Sequence, residues 1–166
     1  MADVVNMHIE TERKFLVRDD SYKSLAVRSY RIKQGYIAHD GGNTVRVRVR
    51  DNQGFITVKG RSVNGISRPE WEMPISLADA QSLLELCHGG FVDKTRHIVP
   101  AGHGELVFEV DEFHGDNEGL TMAEIELPSA DERFPRPAWL GEEVTGDKRF
   151  YNSFLSNYPF KTWKKQ

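Results

Sequence analysis

Along most of the chain apolar and polar residues alternate strictly, the period of a strand with one face buried. The clearest run is Val45-Arg46-Val47-Arg48-Val49-Arg50. A turn at Asp51-Asn52-Gln53-Gly54 separates it from Phe55-Ile56-Thr57-Val58-Lys59, so the two runs predict a hairpin. The same period predicts strands over His8–Leu16, Arg31–Ala38, Glu70–Ser76, Phe91–Val99, Glu105–Phe113 and Leu120–Pro128, eight in all. Helical signals are fewer. Ser76-Leu77-Ala78-Asp79 resembles a capping box, opening a helix through Leu83, Leu84 and Leu86 to Gly89-Gly90. A second helix is predicted over Asp147–Ser156, with Phe150, Tyr151, Phe154 and Leu155 on one stripe and Pro159 beyond its end. Short helical turns are predicted near Asp20–Val27 and Ala130–Phe134. Many strands, few helices and no βαβ rhythm predict an α+β fold built on an antiparallel sheet or barrel.

Sorting each strand by parity collects ionisable groups on one face, since residues two apart on a strand share a side roughly 7 Å apart. That face carries Glu10, Glu12 and Lys14, then Arg46, Arg48, Arg50 and Lys59, then Glu70 and Glu72. It continues with Lys94 and Arg96, Glu109 and Asp111, Glu124 and Glu126. The other face carries Val45, Val47, Val49, Ile56, Val58, Trp71, Met73, Ile75, Leu106, Phe108, Val110, Ile125 and Leu127. Two arrangements satisfy this alternation. A half-solvated sheet places apolar residues inside and charges outside. A closed eight-stranded barrel places the charges inside, with room for one small ligand. Like charges grouped within single strands favour the barrel, because neighbouring like charges on a solvated sheet repel. Its apolar outer face then needs covering by helices or by a second subunit, which leaves a homodimer open.

The 166 residues suit one domain, and 22 Lys+Arg against 25 Asp+Glu give a net charge of −3. The slight acidity argues against a general nucleic-acid binder. No apolar run approaches the ~20 residues of a membrane-spanning helix. Residues 1–6 read as an N-terminal extension with no leader pattern. A single Cys87 fits a reducing, cytoplasmic setting.

Paired carboxylates are the hard oxygen ligands that Mg²⁺ or Mn²⁺ prefers. Rows of Arg and Lys fit phosphate oxygens, Arg through two parallel hydrogen bonds and Lys as a point charge. Neither set tolerates burial alone, whereas an oligophosphate with divalent cations neutralises both. The implied chemistry is metal-assisted attack on a phosphoryl group.

Glu10-Thr11-Glu12-Arg13-Lys14 resembles the E-x-E-x-K signature of the CYTH, or triphosphate tunnel metalloenzyme, superfamily. The resemblance extends through Gln34-Gly35-Tyr36, Arg46-Val47-Arg48, Thr57-Val58-Lys59, Glu70-Trp71-Glu72, Lys94-Thr95-Arg96, Glu109-Val110-Asp111 and Glu124-Ile125-Glu126 to Trp139–Phe150. It implies one domain over residues 1–166, a closed barrel of eight antiparallel strands, and a small-molecule triphosphate held with Mg²⁺ or Mn²⁺. By the resemblance, Glu10, Glu12, Glu124 and Glu126 bind metal with help from Asp111 and Glu72. Lys14, Arg46, Arg48, Lys59, Arg96 and Lys148 then hold phosphates, and Lys94 polarises the scissile or leaving oxygen. Glu10, Glu12 and Lys94 are thus the expected catalytic set, acting with a metal-activated water and no side-chain nucleophile. The C-terminal helix is expected to close one mouth.

The superfamily spans several outcomes. The short chain and its Glu142-Glu143-Val144-Thr145…Asp147-Lys148-Arg149-Phe150 tail resemble the bacterial branch that hydrolyses inorganic triphosphate. Class IV adenylate cyclisation, hydrolysis of thiamine or nucleoside triphosphates, and a non-catalytic polyphosphate-binding module are the alternatives. Plainer roles are expected for Arg50 (surface), Glu109 (structural ion pair), Tyr36 (core packing), Trp71, Trp139 and Trp163 (outer-face packing) and Cys87 (inert). The six histidines lack metal-ligand spacing.

Overall fold

Every predicted strand forms in the computed structural model, which describes residues 8–62 and 64–163. In chain order they are β1 (His8–Val17), β2 (Arg28–Asp40), β3 (Asn43–Arg50), β4 (Gln53–Lys59), β5 (Ser67–Ile75), β6 (His88–Pro100), β7 (Val107–Phe113) and β8 (Thr121–Glu126). A ninth, β9 (Leu140–Glu143), was not predicted; it is too short for its period to register. The predicted extension at residues 1–6 lies outside the described residues.

The sheet runs β5-β4-β3-β2-β6-β7-β8-β1, and β1 closes it by pairing also with β5. All pairings are antiparallel. Closure works because β1 divides its edges. Residues His8–Thr11 pair with β5, Glu12–Leu16 pair with β8, and β9 takes Phe15 and Val17 past the end of β5. The result is a closed eight-stranded antiparallel barrel with few helices, β9 lying outside the ring.

The apolar face turns outward and is covered by the chain itself. Phe15, Phe108, Val110, Ala123 and Ile125 are buried beneath Tyr22, Trp139 and Leu140. Tyr22 sits in a 3-10 turn at Asp20–Leu25, between β1 and β2. A second outer core joins Val47 to Ala80 and Leu84 of α1 (Leu77–Leu84), which lies over β2, β3 and β4. The predicted cap holds: Ser76 Oγ accepts from the Asp79 amide at 3.0 Å. On β1 and β5, Ile9 and Met73 stay exposed.

The helix opened by Ser76 stops at Leu84, and Gly89-Gly90 belong to β6; two other predicted helices differ more. Asp147–Ser156 is a 3-10 turn at Lys148–Phe150 followed by a short α2 (Asn152–Leu155), split by an extended Tyr151 (ψ 137°). The break turns the Phe150 carbonyl to Lys14 Nζ, which donates to it at 3.1 Å. Ala130–Phe134 forms no helix. Pro135 disfavours the α conformation at Phe134, whose ring packs edge-on against Phe15 and Phe108.

Candidate active site

The inward rows are ionic along most of the bore and become apolar at one end. Lys14 is followed by Leu16 and Asp111 by Phe113, while Val92 precedes Lys94 and Met122 precedes Glu124. Val92, Phe113 and Met122 gather with Leu120, Val144, Phe150 and Leu155, against which Leu16, Phe160 and Trp163 pack. The C-terminal segment therefore fills that end. Trp163 belongs to this plug and not to the outer face.

What remains is a cavity of about 990 Å³ whose lining holds Glu10, Glu12, Lys14, Arg46, Arg48, Lys59, Glu72, Lys94, Arg96, Glu124, Glu126 and Lys148. These are all the predicted site residues but one. Asp111 lies behind the wall, 1 % exposed, accepting from Lys94 Nζ at 2.7 Å and from Arg96 Nε and Nη2 at 2.8 and 2.9 Å. Lys148 is exposed at the rim, and Glu72 and Glu126 are also exposed.

Round the ring, β3 stands four strands from β8, so their rows face one another across the bore. The Arg46–Arg48–Arg50 row therefore confronts Glu124 and Glu126. Beside β8, β1 adds Glu10 and Glu12, and β5 adds Glu70 and Glu72. Beside β3, β2 contributes Gln34, and β6 contributes Lys94 and Arg96. The barrel has an anionic wall and a cationic wall.

Local pairs hold the side chains. Lys59 Nζ donates to both Glu10 oxygens at 2.9 and 3.1 Å and lies 3.6 Å from Glu70. Lys14 meets Glu124 at 3.3 Å, and Arg96 meets Glu109 at 2.8 Å. Arg46 donates to Thr57 Oγ1 at 3.1 Å, and that hydroxyl donates to Glu72 at 3.0 Å. Glu109 takes the structural ion-pair role expected of it. Arg50 lines the cavity and stacks over Tyr30 and Phe55.

Glu12 is different. Among the described residues no donor meets its carboxylate. Burial first, and then Glu124 and Glu10, hold its carboxyl well above the usual range. Glu10 is raised too, by burial above all. Glu124 goes the other way: burial opposes ionisation, but Lys14, Arg96 and Lys94 outweigh it. Carboxylates that repel one another with too few cations between them suit a hard divalent cation, but among the described residues no three metal-ligating side chains stand grouped to hold one: Lys59 takes both Glu10 oxygens, and Lys14 meets Glu124. Asp111 is engaged in the same way, its oxygens taken by Lys94 and Arg96.

The cationic wall is its mirror image. Arg48 has no carboxylate partner among the described residues; its Nε donates to Gln34 Oε1 at 2.9 Å. Burial, then Arg46 and Arg96, destabilise its charge. Arg46 Nε is buried with no hydrogen-bond partner. Burial, with the charges of Arg96 and Arg48 adding to it against the pull of Asp111, pushes the Lys94 ammonium down to about 7. Arg48 with no carboxylate partner, beside an unpartnered Arg46 Nε, marks a place for a polyanion.

Three contributors escaped the sequence reading of the site. Gln34, which holds Arg48, is fully buried. Asn152 accepts from Lys94 at 2.9 Å, and Tyr151 lies under Lys14, 5.1 Å from its ammonium. Gln34 falls in the Gln34-Gly35-Tyr36 motif and shares the inward parity of β2, which were its available signals. Asn152 and Tyr151 enter from the plug, and no local pattern announced them.

A closed antiparallel barrel that opposes cations to carboxylates is, as a class, a tunnel built for an oligophosphate and its divalent cations. The chain belongs to the CYTH domain family, whose model matches residues 8–151. It is 47 % identical over 156 residues to an inorganic triphosphatase of Acetivibrio thermocellus, covering 93 % of this chain and 97 % of that one. An inorganic triphosphatase of Nitrosomonas europaea is 35 % identical over 150 residues, covering 89 % and 96 %. A crystal structure of an inorganic triphosphatase superposes with a TM-score of 0.63 at 32 % identity, covering 89 % of this chain and 93 % of that one.

Proposed function

We propose that the protein hydrolyses inorganic triphosphate to orthophosphate and pyrophosphate with the help of Mg²⁺ or Mn²⁺. The observation that carries this reading is the opposition of the two walls. Arg46, Arg48 and Arg96 supply guanidinium groups to the phosphate oxygens, with Lys59 between the walls, Lys14 reaching in from the anionic wall and Lys148 at the rim. Glu10, Glu12, Glu124 and Glu126 hold the divalent cation, and Glu72 extends this wall toward the mouth. A divalent cation held there polarises phosphoryl oxygens and lowers the pKa of water. Lys94 presents an ammonium proton to the oxygen on which charge develops as the anhydride breaks. Because these donors are already fixed, little reorganisation accompanies that change. Asp111 orients Lys94 and Arg96. The apolar plug keeps solvent from the closed end. The inorganic substrate is preferred to organic triphosphates because of the 47 % identity to an inorganic triphosphatase over almost the whole chain.

The test is a panel of tripolyphosphate, ATP and thiamine triphosphate, each with Mg²⁺ and with Mn²⁺, scoring phosphate and cyclic AMP. Phosphate release from tripolyphosphate that exceeds the other substrates and disappears with EDTA is expected. Cyclic AMP as the main product from ATP, or release unaffected by EDTA, overturns the reading.

A further inference from the structure

We infer that Asn152 is a positioning residue: one amide oxygen from the C-terminal plug holds Lys94 and, through Gln34, Arg48 in their phosphate-facing places. Its Oδ1 accepts from Lys94 Nζ at 2.9 Å and from Gln34 Nε2 at 3.3 Å. Gln34 Oε1 accepts from Arg48 Nε at 2.9 Å. The polarity of this chain is forced from both ends. Lysine and arginine only donate, so the amide oxygens must face Lys94 and Arg48, and the Gln34 amino group must face Asn152.

The consequence for Lys94 is specific. It is 1 % exposed, and an ammonium so buried needs acceptors for its protons. Asp111 takes one at 2.7 Å and Asn152 another, leaving a third for an anion in the cavity that Lys94 lines. A neutral acceptor suits this position, because a second carboxylate would oppose the incoming polyanion. Asn152 lies just past residue 151, where the family-model match ends. It also begins α2, so the docking of the plug and the alignment of two phosphate-binding cations are one structural event.

This inference rests on the reading of Lys94 as a phosphate contact, and a double-mutant cycle separates the two. Steady-state hydrolysis of tripolyphosphate with Mg²⁺ is measured for the native protein, Asn152→Ala, Lys94→Ala and the double variant. Lys94→Ala is expected to lower kcat; an unchanged kcat removes the reading of Lys94 and the inference with it. Asn152→Ala is expected to lower kcat about tenfold alone and by less than about twofold in the Lys94→Ala background, the non-additivity of residues acting through one another. Additive losses, or an intact kcat for Asn152→Ala, overturn the role of Asn152 while leaving that of Lys94 standing. Asn152→Asp keeps both acceptors but adds charge, so KM should rise severalfold while kcat stays within about threefold of the native value. If Asn152→Ala does not fold, this split decides: a kcat as low as that of Lys94→Ala with an unchanged KM overturns the inference.

Discussion

At the scale of the residue, Glu12 shows how a binding site stores its cost in the empty protein. Its carboxyl is raised by burial and by Glu124 and Glu10, so the folded state holds a proton there more tightly than the unfolded state does. Stability of the metal-free protein therefore falls as pH rises from the ordinary carboxylate pKa toward the raised one. Glu12→Gln removes the repelled charge. It should raise the Tm of the EDTA-treated protein at pH 7 by a few degrees, roughly the effect of 1 kcal/mol, and abolish turnover. Differential scanning calorimetry with and without Mg²⁺ checks this; a lower metal-free Tm contradicts it. Arg48 makes the opposite case, a cation with no carboxylate facing it. Arg48→Ala should raise KM for tripolyphosphate about tenfold or more, the loss of a charge-assisted pair, with kcat changed little. Steady-state kinetics decide, and a fall in kcat at constant KM counts against a binding role.

At the scale of the element, the helices differ in what they do for the site. Helix α1 covers Val47 on the outside of the barrel, on the face opposite the charged rows. Ser76→Ala removes its cap and should cost about 1 kcal/mol in urea unfolding while leaving kcat and KM unchanged. The C-terminal segment does more. Leu155 is 1 % exposed in the plug, and Leu155→Ala should cost about 2–5 kcal/mol. Because Asn152 precedes it in α2 and reaches Lys94, this loss should come with a lower kcat measured well below the Tm. Equal destabilisation by the two substitutions with equal retention of activity would separate the plug from the site. The split of the predicted Asp147–Ser156 helix belongs here. Its apolar stripe was legible, but the break at Tyr151 depends on Lys14, 136 residues away in sequence, drawing off the Phe150 carbonyl.

At the scale of the whole molecule, the barrel holds two walls of charge that each need a guest. Tripolyphosphate with Mg²⁺ should therefore stabilise far more than either alone. At about one hundred times Kd the gain is about 2.7 kcal/mol, which for a chain of this size is roughly 5–10 °C in Tm. A thermal-shift titration tests this, and equal shifts from the anion without metal contradict the anionic wall as a cation site. The chain itself covers much of the outer face of β3, β7 and β8, whereas Ile9 on β1, Met73 on β5 and Phe91 on β6 stay exposed.

Much of this was determined by the sequence alone. Period-two alternation located the strands β1 to β8, and parity sorted Glu10, Arg48, Lys94 and Glu124 onto one face, because strand geometry is local and forces alternate residues apart. Which way that face points is not local. Half-solvated and inward-facing sheets share one pattern, and only the pairing of β1 with both β5 and β8 turns the charges into the bore. Closure also set β3 opposite β8, the β6–β7 register placed Asp111 against Arg96 and Lys94, and the docked plug brought Asn152 to Lys94 from 58 residues away. Those outcomes depend on ring order, on strand register and on where the plug docks, quantities that exist only once distant segments have packed together.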